Sequence, residues 1–165
     1  MKKLFLLGIS LFAFTIVTMA QDISKNAIGL RLGDSDGFGT EVSYQRALGD
    51  NNRLEADLGW RSRDKYSGFK LAGLYQWVWN IEGGFNWYAG AGGGFGSYSF
   101  DNYNNNNKDY NETFAFIAGD IGIEYSFDFP LLLSLDFRPE LGFGDKDYDN
   151  NNLDLDIALG VRYQF

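Results

Sequence analysis

The chain has 165 residues, with 14 lysines and arginines against 22 aspartates and glutamates and neither cysteine nor histidine. That composition excludes disulfides, thiolate or imidazole metal sites and every histidine-dependent catalytic pair. A net charge of −8 provides no basic patch for nucleic acid, and an aromatic content of 18% argues against disorder.

The first element is N-terminal. Lys2 and Lys3 precede an apolar run from Leu4 to Val17, followed by Thr18-Met19-Ala20. A positive start, a short apolar core and small residues at its end predict a signal peptide over residues 1–20. The run is shorter than the ~20 apolar residues of a spanning helix. Ala20-Gln21 lacks the cysteine of a lipoprotein signal. The expected mature chain, 21–165, is one domain with twelve basic and 22 acidic residues, a net charge of −10.

From there the apolar period is two, the period of strands. "NAIGLRLGD" sets Ile28, Leu30 and Leu32 against Arg31, and "GFGTEVSYQRAL" sets Phe38, Thr40, Val42 and Tyr44 against Glu41, Ser43 and Gln45. "RLEADLGWRS" sets Leu54, Ala56, Leu58 and Trp60 against Glu55, Asp57 and Arg61. "GFKLAGLYQWVWN" sets Phe69, Leu71, Tyr75, Trp77 and Trp79 against Lys70, Ala72 and Gln76. The fifth stretch, "FNWYAGAGGGFGSYSF", carries Gly90, Gly92, Gly94 and Gly96 on one face and Trp87, Ala89, Ala91 and Phe95 on the other. "TFAFIAGDIGIEYSF" sets Ile117, Ile121, Ile123 and Tyr125 against Asp120 and Glu124. "PLLLSLDFRPELGFG" sets Leu133, Leu135, Phe137 and Leu141 against Ser134, Asp136, Arg138 and Glu140, with Pro139 predicting a bulge or local break. The last, "LDLDIALGVRYQF", alternates Leu153 to Phe165 with Asp154, Asp156, Ala158, Gly160, Arg162 and Gln164.

The connections alternate. Gly49 to Asn52, Ile81 to Gly84 and Asp128 to Pro130 read as short turns; Arg63 to Ser67, Asp101 to Asn111 and Gly144 to Asn152 read as longer polar loops. Eight meandering strands predict a closed all-β antiparallel barrel without edges. Alternation alone leaves two barrels open: a soluble lipocalin-like carrier, apolar inside, and a membrane barrel, apolar outside. Strands of about ten residues cross a ~25 Å apolar band. Aromatics gather at both ends of the apolar face: Trp77, Trp79, Trp87, Tyr125, Tyr163 and Phe165 at one, Phe38, Trp60, Phe69, Phe95 and Phe143 at the other. Two such girdles suit the two lipid–water interfaces.

With its closing strand "IALGVRYQF", the mature chain resembles the small eight-stranded outer-membrane barrels of the OmpA transmembrane-domain and OmpX type. That resemblance implies a Gram-negative outer membrane, periplasmic termini, extracellular long loops and a monomer surrounded by outer-membrane lipid. It also implies that Tyr163 and Phe165 are read by the barrel-assembly machinery. Enzymes on this fold imply catalytic histidines, and this chain has none.

The inward face is rich in charge. Glu41, Glu55, Asp57, Asp120, Glu124, Asp136, Glu140, Asp154 and Asp156 are expected opposite Arg31, Arg61, Lys70, Arg138 and Arg162. An eight-stranded interior is just wide enough for side chains to fill it. The expectation is therefore a salt-bridge plug that includes Glu41, Asp57, Asp120, Asp136, Arg138, Asp156 and Arg162, with a narrow cation-conducting path as the alternative. A turn centred near residue 128 would set Asp120 opposite Asp136, bridged by Arg138 or Arg162. "GAGGGFG" lacks the spacing and helix of a nucleotide loop and reads as a strand face that admits neighbouring side chains. Asp145, Asp147 and Asp149 alternate as in calcium loops, but Asn150 stands where such loops place glycine, so a solvated acidic loop is expected. No catalytic, cofactor or metal residue is expected, and no partner for the loops is identified.

Overall fold

The computed structural model describes residues 23–33, 39–63, 66–100, 110–143 and 153–165. The expected signal peptide and the Asp145–Asp149 stretch lie outside these residues. Eight strands follow one another: β1 (Asn26–Leu32), β2 (Thr40–Ala47), β3 (Asn52–Arg63), β4 (Tyr66–Glu82), β5 (Phe85–Phe100), β6 (Tyr110–Ser126), β7 (Leu131–Phe143) and β8 (Leu153–Gln164). Each pairs antiparallel with its neighbours, and β8 returns to β1, closing the barrel. The closure is tied at the terminus: Asn26 N–H donates to the Phe165 carbonyl at 3.0 Å, and Phe165 N–H donates to the Asn26 carbonyl at 2.9 Å.

The register sets the strand tilt. Partners traced around the sheet run Ile28, Tyr44, Ala56, Gly73, Gly93, Ile117, Leu141 and Leu153. The β8 partner of Ile28 itself is Tyr163, ten residues from Leu153. For eight strands that stagger corresponds to a tilt of about 40° and an axial rise of roughly 2.5 Å per residue. Leu153 and Tyr163 therefore stand roughly 25 Å apart along the axis, the height of a membrane barrel's apolar band. β4, β5 and β6, at 17, 16 and 17 residues, rise well above that band on the loop side.

The barrel is inverted relative to a soluble protein. Outward residues form an apolar belt, with Ile157 at 65% and Leu155 at 58% exposure, while the charged residues between them are buried. The girdles form by ring contact. At the turn end Trp79 stacks on Trp87 with centroids 4.3 Å apart, and Phe85 meets Tyr125 at 4.5 Å. At the loop end Phe69 and Phe95 meet edge to face at 6.1 Å. Phe38 lies outside the described residues.

Three expectations change. The connection expected over Arg63 to Ser67 is shorter: Arg63 pairs with Tyr66, leaving a two-residue link. The β6–β7 hairpin is centred on residue 129, because Ser126 pairs with Leu132 and Phe127 N–H donates to the Leu131 carbonyl. Asp136 therefore faces Gly122, not Asp120. Pro139 produces a break without a bulge: pairing with β6 lapses between Ala118↔Glu140 and Ile121↔Phe137, the register is unchanged, and pairing with β8 continues through Leu155. At the β4–β5 turn Gly83 has φ 55°, a conformation that favours glycine.

Candidate functional site

The site is the lumen itself. Among the described residues, eight carboxylates (Glu41, Glu55, Asp57, Asp120, Glu124, Asp136, Glu140 and Asp156) and five cations (Arg31, Arg53, Lys70, Arg138 and Arg162) are buried inside the barrel. Strand alternation puts them there, since every second residue of each strand points inward. Asp154 and Arg61, also expected inside, are half-buried towards the loop end.

These groups stack in layers along the axis. Nearest the turns, Arg53 lies 2.7 Å from Glu124, donates to Gln76 Oε1 at 2.6 Å and sits 4.7 Å from the centroid of the Tyr88 ring. Above it Arg162 donates to Glu55, Ser43 and Ser134 at 2.8–3.0 Å. Glu55 also accepts from Gln45 and Gln76. The amide of Gln76 links two acids, donating to Asp120 at 2.5 Å and to Glu55 at 3.2 Å.

In the middle layers two arginines interlock. Arg31 donates to Asp136 through Nε at 2.9 Å and through Nη2, to Glu41 at 3.1 Å and to Asp156 at 2.5 Å. Arg138, wholly buried, donates to Asp57 at 2.9 Å and to both Glu41 oxygens at 2.9 Å. Glu41 is thus shared by both guanidiniums. A guanidinium's planar array of five donors suits this role, because one cation can hold several acids at fixed angles.

Towards the loops Lys70 donates to Glu140 at 2.6 Å and lies 4.9 Å from the Phe116 centroid. The lumen then turns apolar: Ala72, Leu74, Phe114, Phe116 and Ala118 form one cluster, with Tyr98 stacked on Phe114 at 5.1 Å. The glycine face of β5 admits these rings. A Cβ on Gly94 would stand 2.5 Å from the Phe116 ring, and one on Gly96 would stand 2.5 Å from the Phe114 ring. On β6 Gly122 leaves the same space for Tyr88.

All seven residues expected in the polar network are in the lumen, but not in the expected arrangement. Arg138 does not bridge Asp120 and Asp136: Arg31 holds Asp136, Gln76 holds Asp120, and Arg138 holds Glu41 and Asp57. The displaced hairpin centre is the physical reason, because it moves Asp136 two residues along β6. Arg53 was not expected inside, although it shares a face with Glu55 and Asp57 at spacings of two. Tyr163 and Phe165, the expected assembly signal, face outward at the turn end with ring centroids 6.2 Å apart.

No protein-family model matches the chain, and no curated protein matches it. Solved structures do. The N-terminal β-barrel domain of Pseudomonas aeruginosa OprF aligns over 86% of this chain and 98% of its own, at 16% identity and a TM-score of 0.61. The attachment invasion locus protein Ail of Yersinia pestis aligns over 86% and 97%, at 13% identity and a TM-score of 0.57. Neisserial surface protein A aligns over 85% and 94%, at 14% identity and a TM-score of 0.57. At these identities what is shared is the fold: a small, closed, eight-stranded antiparallel barrel of the kind found in outer-membrane proteins.

Proposed function

We propose that the protein is a non-catalytic barrel of the bacterial outer membrane, monomeric, with periplasmic termini and extracellular long loops, whose role is structural or one of surface interaction. The observation that carries this reading is the packed lumen: Arg31 and Arg138 tie carboxylates from β2, β3, β7 and β8 into one cross-section, and the aromatic cluster lies above it. A plugged wall scaffold leaves the loops and the tall β4–β6 flank as the parts that meet the outside. The outward apolar belt and charged lumen weigh against a soluble carrier, which needs an apolar cavity. Assembly machinery reading the last strand fits the outward Tyr163 and Phe165. The Ail relative has been solved with a heparin analogue, sucrose octasulfate. An acidic chain of net charge −8 suits no such polyanion.

A narrow cation path is the second reading, favoured by one observation: among the described residues the lumen holds eight buried acids against five cations. Membrane fractionation with heat-modifiable gel mobility tests the location. Planar-bilayer recording separates plug from path: the plug gives no steady conductance, and the path gives a cation-selective one.

A further inference from the structure

The outer wall carries a defect between β6 and β7. The two missing pairings, Gly119 with Pro139 and Asp120 with Arg138, both need an N–H at position 139, which proline lacks. The bond from Phe127 N–H to the Leu131 carbonyl sets the alternation of this hairpin, so the outward residues of β6 aim their backbone groups at β7. The Gly119 carbonyl therefore has no ladder donor.

Beside it lies an outward-facing groove of about 320 Å³. Ala91, Gly119 and Pro139 form its floor, and Ile117, Leu141 and Leu153 its walls. An apolar groove thus holds one carbonyl acceptor that lacks a ladder donor, in the half of the wall nearer the loops.

We propose that this groove binds a hydroxylated acyl chain of the surrounding lipid, the chain lying against Ile117, Leu141 and Leu153 and the hydroxyl donating to the Gly119 carbonyl. The inference rests on the membrane reading above, because only a bilayer puts acyl chains against this wall. A plain acyl chain fills the walls but leaves that carbonyl unmatched, which is costly where no water can reach it. An ammonium would supply a donor at the cost of a desolvated charge. A hydroxyl supplies the donor as a neutral group.

The test uses the full barrel in phosphatidylcholine nanodiscs, with isotope-labelled isoleucine and leucine methyls followed by NMR. 3-Hydroxytetradecanoic acid is titrated against tetradecanoic acid. The expected result is saturable shifts at Ile117, Leu141 and Leu153, with half-saturation at least about tenfold lower for the hydroxylated acid, the scale of one hydrogen bond to a donorless acceptor. Pro139→Ala restores the missing N–H, so it should keep the fold and lose the preference. Ala91→Leu should fill the floor and remove the shifts. Equal half-saturation for the two acids, matching shifts at Ile28 and Ile157 elsewhere on the wall, or a preference retained in Pro139→Ala would overturn the proposal. Failure to insert would overturn the membrane reading and this inference with it; insertion without preference would overturn this inference alone.

Discussion

Removing the Arg138 guanidinium tests how the lumen is held. The side chain is wholly buried and donates to Asp57 and to both oxygens of Glu41. The two acids are not left equal by its loss. Glu41 keeps Arg31 at 3.1 Å, whereas Arg138 is the cation that touches Asp57. Breaking a buried ion pair from one side costs about 3–5 kcal/mol, chiefly because the remaining charge stays buried and uncompensated. Arg138→Ala should therefore destabilise the barrel by about that amount, and the burden should fall on Asp57. It follows that Asp57→Asn in the Arg138→Ala background should recover at least about half the loss, while Glu41→Gln should recover less. Urea unfolding in lipid vesicles, followed by tryptophan fluorescence and gel mobility, reads all three. A loss under about 1 kcal/mol, or a better rescue by Glu41→Gln, would refute the assignment of Asp57 to Arg138.

Deleting Phe165 or replacing it with Asp should impair insertion more than Gln164→Asp, because Phe165 faces outward at the turn end whereas Gln164 is half-buried; membrane fractionation of both checks this. Leu159→Arg, near mid-height on the outward face of β8, should cost about 2–4 kcal/mol in refolding into lipid, the scale for a charge near the bilayer midplane. Gly122→Ala should cost about 1–3 kcal/mol, because its Cβ would stand 2.5 Å from the Tyr88 ring on the tightly packed inner face; an unchanged urea midpoint would contradict that packing.

Much of this architecture is legible from residue alternation. Leu153 to Phe165 shows both faces of β8 at once, and its assignment of outward leucines and inward Asp156 and Arg162 agrees with the observed burial. The girdles are legible because the tryptophans cluster beside short turns. Contacts across the lumen are less so, since they depend on register and on stagger summed around the barrel. A one-residue error in the centre of a hairpin moves a cross-strand partner by two residues, which is how Asp120 was expected opposite Asp136. Gln76 illustrates a second limit. Its inward face is readable from Trp77 and Trp79, but nothing local to it shows that its amide reaches Asp120 on β6, 44 residues along the chain. The loop-end cluster of Phe114 and Phe116 shows a third. An inward aromatic looks the same in sequence as an outward one until Gly94 and Gly96 are seen to make room for it.

Single-channel recording on the purified barrel in planar bilayers tests the central claim most directly, because under the proposed plug the Arg31 and Arg138 clusters and the aromatic cluster above them would leave no continuous water path. No steady conductance is predicted for the wild-type protein, with openings appearing in Arg138→Ala. A steady, cation-selective conductance in the wild-type protein would contradict the plug and identify the surplus carboxylates as the lining of a pore.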